Sequence, residues 1–158
     1  MRDVFIVSAV RTPVGRKNGS LSQMHPVAVA SIPLSAVVKR VDLDPAAVED
    51  VVMGCVTPIG EQGANIGRLA VLNAGWPVTV PAVTLNRMCG SSQQAIHFAA
   101  QAIAAGDMDI AVGAGVECMS RVTMGADYPE QFYAGIPYDL IPQGISAELI
   151  AEKWGLTR

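Results

Sequence analysis

The chain has 158 residues, of which 51% are hydrophobic and 16% charged, and its formal net charge is −3. This composition is that of a well-packed soluble domain. It excludes a disordered chain and gives no electrostatic basis for nucleic-acid binding. No apolar stretch approaches the roughly 18 residues of a membrane span. The three cysteines, Cys55, Cys89 and Cys118, lack paired spacing. They argue against a disulfide framework and a zinc site and indicate a reducing, cytoplasmic compartment.

The N-terminal part of the chain is predicted to contain a strand, a loop and a helix. Residues 4–10 form a mainly apolar run, with Ser8 as its one polar residue, typical of a fully buried strand. The polar run 11–23 that follows predicts a loop. A helix is predicted from Pro26, which suits a first helical turn, to about Val41, and Pro33 is expected to kink or restart it.

The middle of the chain alternates strands with helices. Asp44 is a predicted N-cap before a helix start, and residues 51–54 read as a second strand. A glycine-rich loop at 57–63 leads into a helix at 66–73. Residues 82–85 are predicted to form a third strand. This alternation indicates an α/β fold with a largely parallel sheet.

The later part continues the alternation and then changes character. An alanine-rich helix is predicted at 95–105 and a fourth strand at 110–116. Residues 121–144 hold many prolines, glycines and tyrosines without clear periodicity, so an irregular excursion is predicted. A final helix is expected at 146–154, with Ser146 as its N-cap.

Cys89 is the residue whose setting points most directly to chemistry. It lies between the strand at 82–85 and the helix at 95–105, where backbone N–H groups lack helical partners and the helix dipole is positive. That setting favours the nucleophilic thiolate. Gly90, Ser91 and Ser92 leave room for a substrate carbonyl. The pattern predicts acyl transfer through a cysteine thioester, although an isolated cysteine is more often a small buried hydrophobe.

Five collinear segments resemble the thiolases, the family of acetyl-CoA acetyltransferases and 3-ketoacyl-CoA thiolases. The nucleophile signature is Asn-Arg-Met-Cys-Gly-Ser-Ser-Gln-Gln-Ala at 86–95. The other segments are Val-Ser-Ala-Val-Arg-Thr-Pro-Val-Gly at 7–15, the strand and glycine-rich loop at 54–68, Ala-Gly-Val-Glu-Cys-Met-Ser at 114–120 and the helix at 147–155. Any one match alone is weak, but their order and spacing together are specific.

The resemblance implies acyl-CoA:acetyl-CoA C-acyltransferase chemistry, within fatty-acid metabolism and lipid degradation. The cysteine corresponding to Cys89 takes an acyl group, and free CoA or acetyl-CoA completes the cycle, in the direction of 3-ketoacyl-CoA cleavage or of condensation. The family's oxyanion hole uses the backbone N–H of that cysteine. Coenzyme A thioesters are then substrates, no cofactor is bound permanently, and no metal is expected. No residue of this chain is assigned to CoA binding.

The resemblance covers only the N-terminal half of a thiolase, and the family builds its active site between two similar halves. The family's later Gly-His-Pro histidine and Cys-x-Gly cysteine have no counterpart here. His25 opens a helix, and His97 lies on the cysteine's own helix, roughly 12 Å beyond Cys89 at about 1.5 Å per residue. The isolated chain is therefore expected to be an inactive fragment whose partner is the missing C-terminal half.

Family architecture assigns residues 1–120 to a thiolase N-terminal α/β domain with a mostly parallel central sheet flanked by helices. Residues 121–158 are assigned to the beginning of a substrate- and CoA-binding loop domain. The full-length enzyme is expected to be a homo-oligomer, a dimer or tetramer, without nucleic acid or membrane as a partner. Pro142 and Gln143 depart from the residues of many acetyl-specific relatives, which leaves acyl-chain length open.

Two alternatives compete with the thiolase interpretation. One is a decarboxylating condensing enzyme of the ketoacyl-synthase type, which carries a cysteine at the same helix start. The other is a non-catalytic half-domain that acts in oligomer assembly. Four further residues are predicted to be structural: Asn65 and Arg68 to cap and flank their helix, and Cys55 and Cys118 to pack.

Overall fold

The computed structural model describes residues 2–157, and within them the chain forms three strands and four α-helices. In chain order the elements are α1 (Pro26–Arg40), β1 (Asp50–Gly54), α2 (Ile66–Asn73), β2 (Ala82–Leu85), α3 (Ser91–Ala105), β3 (Ala111–Gly115) and α4 (Gln143–Trp154). The chain divides into two compact units, one ending at Tyr128 and the other beginning at Pro129. The first unit contains the whole sheet.

The sheet is parallel, with strand order β2-β1-β3. Gly54, the last residue of β1, pairs with Leu85 on β2 and Gly115 on β3. Because the strands are parallel and in this register, their carboxyl ends meet at one edge of the sheet. The predicted α/β fold with a mostly parallel sheet flanked by helices is confirmed.

The two faces of the sheet are packed by different means. On one face, the fully buried side chains of Val51 and Met53 pack in a core that includes Leu34 of α1 and Ile66 of α2. Successive strand residues point to opposite faces, so Gly54 faces the other side, where α3 lies. The large apolar side chains are thus concentrated between the sheet and the α1–α2 layer.

Glycines allow α3 to lie directly against β1 and β3. A Cβ atom on Gly54 would lie 2.5 Å from the carbonyl carbon of Ser91 and from the backbone nitrogen of Ser92. A Cβ atom on Gly113 would lie 2.7 Å from the Cα atom of Ile96, and one on Gly115 would overlap the Ser92 hydroxyl. The first turn of α3 is therefore fixed at the carboxyl edge of the sheet by backbone contact.

The prediction of a fully buried strand at 4–10 is wrong. The segment forms no ladder, and Phe5, Ile6 and Val7 are each more than three-quarters exposed. The segment lines an apolar cavity of about 490 Å³ together with α1, α3 and β3. An apolar run identifies residues that favour burial, but burial also needs covering elements, and residues 2–157 cover this segment on one side only.

Three smaller predictions about helices are also revised. The α1 helix runs through Pro33 without restarting. Asp44 is an N-cap as predicted, but the helix it starts is a single 3-10 turn, Pro45–Ala47. The last helix begins at Gln143, so Ser146 lies inside it and is not its N-cap. The strands β1 and β2 and the helix α2 lie where the sequence predicted them.

The second unit contains α4, which has no buried residue. Residues 121–142 are irregular, as predicted. The assignment of residues 1–120 and 121–158 to two domains stays a prediction. None of the helices described within residues 2–157 is long and apolar enough to cross a membrane.

The contact between Gly54 and α3 gives a stability prediction. We expect Gly54→Ala to lower the free energy of unfolding by about 1–3 kcal/mol, because the added methyl group meets backbone atoms that have no alternative rotamer. Urea denaturation followed by circular dichroism measures this loss. Gly144→Ala is the control, since a Cβ atom there has nothing within 4 Å. Equal unfolding midpoints for Gly54→Ala and the wild type would contradict the close packing.

Candidate active site

Cys89 lies in the turn that connects β2 to α3, at the carboxyl edge of the sheet. Its side chain is exposed, and Gly90, the N-cap of α3, separates it from the first helical residue. Within residues 2–157 the backbone N–H of Cys89 has no hydrogen-bond acceptor. The exposed thiol of Cys89 and its backbone N–H, which has no acceptor among these residues, therefore lie together at the carboxyl edge of the sheet.

The conformation of this turn is held by hydrogen bonds to Met88. Met88 has a φ of +48°, a left-handed conformation that costs a non-glycine residue about 1–2 kcal/mol. Its N–H donates to Oδ1 of Asn86 over 2.8 Å. Its carbonyl accepts from the Ser91 backbone N–H at 3.0 Å and from the Ser91 hydroxyl at 2.5 Å. These bonds stabilise the strained residue immediately before Cys89.

A polar cluster built on Glu117 joins the segments that follow β1 and β3. One carboxylate oxygen of Glu117 accepts from the Val56 N–H over 2.7 Å, and the other accepts from Nε2 of Gln62 over 2.8 Å. Gln62 is fully buried, and it also donates to the Thr57 carbonyl and accepts from the Cys118 N–H. Sequence patterns did not indicate this cluster. The sequence offers one indication of it, a charged residue two positions after the apolar strand β3.

Asn86 connects the Glu117 cluster to the cysteine turn. Its Nδ2 donates to the Val56 carbonyl over 2.8 Å, while its Oδ1 accepts from Met88. Val56 is thus held through its N–H by Glu117 and through its carbonyl by Asn86. The segments after all three strands are linked in one hydrogen-bonded network.

The other two cysteines are poor nucleophiles at neutral pH. Burial, and then the negative charge of Glu117, raise the pKa of Cys55 to about 12. The same two causes, in the same order, raise the pKa of the Cys118 thiol. Cys55 is buried in the core, as predicted, and Cys118 packs partly buried against it. Cys89 is the exposed thiol of the three.

Neither of the two histidines is placed by the structure as a hydrogen-bonding partner of Cys89 among the described residues. His25 is the N-cap of α1, and its Nδ1 accepts from the Val27 N–H. His97 is exposed on α3, and neither ring is hydrogen-bonded to Cys89 among the described residues. Residues 2–157 also contain no group of three or more His, Cys, Asp or Glu side chains arranged to hold a metal.

Asn65 and Arg68 have the structural roles predicted for them. Asn65 is the N-cap of α2, and its Oδ1 accepts from the Arg68 N–H. Its Nδ2 donates to the Ala82 carbonyl, which attaches the helix start to β2. The Arg68 guanidinium donates to the Val78 and Val80 carbonyls and holds the loop before β2.

Comparison with known proteins identifies the family. Residues 4–158 match the family described as Thiolase, N-terminal domain. The chain belongs to the thiolases. The predicted resemblance is therefore confirmed, and the match favours it over the ketoacyl-synthase alternative.

Relatives show how much of a thiolase the chain represents. It is 43% identical to steroid 3-ketoacyl-CoA thiolase FadA6 of Mycobacterium tuberculosis, an alignment covering 100% of this chain and 42% of that protein. It is 49% identical to beta-ketoadipyl-CoA thiolase of Pseudomonas aeruginosa over 76% of this chain and 30% of that protein. The crystal structure of the Bacillus anthracis acetyl-CoA acetyltransferase superposes with a TM-score of 0.81 at 32% identity, covering 96% of this chain and 42% of that one. The chain thus spans less than half the length of these relatives.

The difference between the cysteines gives a labelling prediction. At pH 8 a thiol with a pKa of about 12 is ionised in about one molecule in ten thousand. We therefore expect iodoacetamide to modify Cys89 well before Cys55 in the folded chain, and all three cysteines in urea. Peptide mass spectrometry locates the label. Modification of Cys55 at the rate of Cys89 in the folded chain would contradict the described burial.

An ion pair beside the site makes stability depend on pH. The Arg121 guanidinium donates to both carboxylate oxygens of Glu61, with Nη2–Oε1 at 2.6 Å. This hydrogen bond, with the positive charge of Arg121, lowers the pKa of Glu61. A carboxyl whose pKa is lowered by folding contributes stability above its unfolded pKa, and that contribution is lost as pH falls through its folded pKa.

We therefore expect Glu61→Gln to lower the urea midpoint at pH 7. The difference from wild type should shrink as pH falls from about 4, the ordinary range of glutamate, through the lower pKa of Glu61 in the folded chain. Urea titrations at a series of pH values measure this difference. Glu130→Gln, at an exposed glutamate outside the pair, is the matched control. A deficit of Glu61→Gln that persists unchanged at pH 3 would contradict the assignment.

Proposed function

We propose that Cys89 is the nucleophile of an acyl-CoA:acetyl-CoA C-acyltransferase and that this chain supplies the nucleophile-bearing half of its active site. The observation that carries the proposal is the placement of an exposed thiol and a free N–H at the carboxyl edge of a parallel sheet. Open α/β sheets bind their ligands outside this edge. The start of a helix also favours negative charge on a substrate oxygen.

The chemistry follows from these groups. The Cys89 thiolate attacks the 3-keto carbon of a 3-ketoacyl-CoA, and the negative charge that develops on the oxygen is stabilised by the Cys89 N–H. The bond between C2 and C3 then breaks, and acetyl-CoA leaves as its enolate, which takes up a proton. The acyl group remains as a thioester on Cys89 until the thiol of free CoA accepts it and the cysteine is released. Condensation is the reverse sequence.

The names of the relatives support coenzyme A thioesters as substrates. Two are called thiolases of different CoA thioesters, and the third is called an acetyl-CoA acetyltransferase. The acyl groups in these names differ, so the proposal covers the class of substrate and not its chain length. No permanently bound cofactor enters the proposed cycle. Its metabolic place is fatty-acid and lipid degradation.

The isolated chain is proposed to lack turnover. The histidine and second cysteine that the family uses for proton transfer have no counterpart among its residues, and the chain covers 42% of two of the relatives compared. Its proposed partner is a C-terminal thiolase half, and its proposed compartment is the cytoplasm, where three free cysteines persist.

The exposed apolar residues 5–7 favour an additional role in assembly. Contiguous exposed apolar surface marks contact sites between proteins. The isolated chain is therefore proposed to self-associate through such surface, and the full-length enzyme is proposed to be a homo-oligomer, as the family resemblance implies.

Incubation with acetoacetyl-CoA, alone and in a second arm with free CoA present to accept the acetyl group, tests the proposed chemistry. We expect a slow acetyl adduct on Cys89, at most one per chain, without sustained release of acetyl-CoA. Peptide mass spectrometry locates the adduct, and thiol titration follows turnover. Cys89→Ser is expected to abolish the adduct, while Cys118→Ser, the matched control, retains it. An adduct elsewhere, or none, would count against Cys89 as nucleophile, and continuous acetyl-CoA release would refute the proposed inactivity.

A further inference from the structure

We infer that Glu117 and Asn86 are positioning residues for Cys89, acting through the backbone of Val56 and the turn at Met88. The inference rests on the proposed nucleophilic role of Cys89 and goes beyond it. In this inference, the carboxylate of Glu117, which follows β3, helps to set the direction of the thiol and the backbone N–H of Cys89, which follows β2.

In the first step of this chain of hydrogen bonds, Glu117 fixes the position of Val56. The Glu117 carboxylate accepts from the Val56 N–H over 2.7 Å, and hydrogen bonds to an ionised acceptor are shorter and stronger than neutral ones. Its other oxygen is held by Gln62, whose side chain is fully buried and has no alternative solvent partner. With both oxygens engaged, the carboxylate has one orientation. An apolar residue at this position would leave two donors without an acceptor.

The second step transfers this constraint to the cysteine turn. The Asn86 amide donates to the Val56 carbonyl and accepts from the Met88 N–H, each over 2.8 Å. An amide side chain can serve as donor and acceptor at once. Met88 is held at a positive φ, and such residues persist where the surrounding structure over-determines them. Cys89 follows directly, so the direction of its N–H and thiol depends on this residue.

Acyl transfer is sensitive to such alignment. A misplacement of about 1 Å can cost on the order of 100-fold in rate, because the oxyanion must lie against a fixed donor as it forms. Alkylation by iodoacetamide forms no oxyanion, since the thiolate displaces iodide from a saturated carbon. The ratio of the acylation rate to the alkylation rate at Cys89 therefore reports how well the thiol and its N–H are aligned. Changes in the solvent access or the ionisation of the thiol affect both rates and cancel in the ratio.

The chain provides a matched control at the opposite end of the same sheet. Glu49, directly before β1, also accepts backbone N–H groups with its carboxylate, from Asp109 and from Ile110 at 3.1 Å. Like Glu117 it is a glutamate whose carboxylate accepts from the backbone of another segment, but it is exposed and lies at the amino edge of the sheet. Both glutamates tie strand ends together, and only Glu117 is connected to the cysteine turn.

The experiment compares the wild type with Asn86→Ala, Glu117→Gln and Glu49→Gln. Phenyl thioacetate is the acylating probe: the Cys89 thiolate displaces thiophenolate and becomes S-acetylated. Iodoacetamide is the alkylating probe. Site-resolved mass spectrometry gives both rates at Cys89, and unlabelled Cys55 reports that each variant is folded.

We expect Asn86→Ala and Glu117→Gln to lower the acylation-to-alkylation ratio about tenfold or more, and Glu49→Gln to leave it within about twofold of wild type. Asn86 is exposed, so Asn86→Ala tests the inference even if Glu117→Gln exposes Cys55. A wild-type ratio in a folded Asn86→Ala chain would overturn the inference. An equal fall in Glu49→Gln would also overturn it, because the effect would then follow loss of any strand-end bond.

The two proposals fail separately. A lowered ratio in the variants together with no acyl transfer from acetoacetyl-CoA overturns the proposed function and leaves the positioning role standing. Acyl transfer from acetoacetyl-CoA to Cys89 together with an unchanged ratio overturns the positioning role alone.

Discussion

The contact of α3 with the carboxyl end of β1 is the constraint on which the site depends. Gly54 has no side chain to hold the helix away, and the backbone of Ser91 and Ser92 occupies the space where a Cβ atom would lie. Gly115 allows the same approach from β3. The β2–α3 connection must therefore turn sharply, and a sharp turn accounts for the left-handed Met88. The position of Cys89 follows from the packing of backbone on backbone.

The carboxylate of Glu117 has two separate effects on this edge of the sheet. Its hydrogen bonds fix the loop after β1, and its charge adds to burial in raising the pKa of Cys55 and Cys118. A buried polar cluster is stabilising when every member has a partner. Here the carboxylate, the Gln62 amide and the adjoining N–H groups are all paired. The arrangement thus raises the pKa of the Cys55 and Cys118 thiols at the same edge of the sheet at which the Cys89 thiol is exposed.

The sequence predicted features that local pattern controls. The bounds of α2 and β2, the caps at Asn65 and Asp44 and the strand-to-helix position of Cys89 follow from periodicity, capping residues and glycine. The failure at 4–10 arose because composition gives the preference of a segment for burial, and the covering elements decide the outcome. The Val56–Asn86–Glu117 network was not predictable, because it joins residues distant in sequence whose types are common in loops. A single charged residue after an apolar strand, such as Glu117, indicates that the side chain has a hydrogen-bonding partner, but the sequence does not identify that partner.

The strand order has a consequence for how the chain folds. β1 is the central strand, yet both of its partners come later in the sequence, with Val51 opposite Ala82 and Val112. Contacts between distant residues require loop closure before they contribute stability, which slows folding. Among residues 2–157, β1 has no strand to pair with during synthesis until β2 emerges from the ribosome, and its other edge stays open until β3 follows. Glu117 emerges after both, so the turn that carries Cys89 is synthesised before the carboxylate that completes its hydrogen-bonded network.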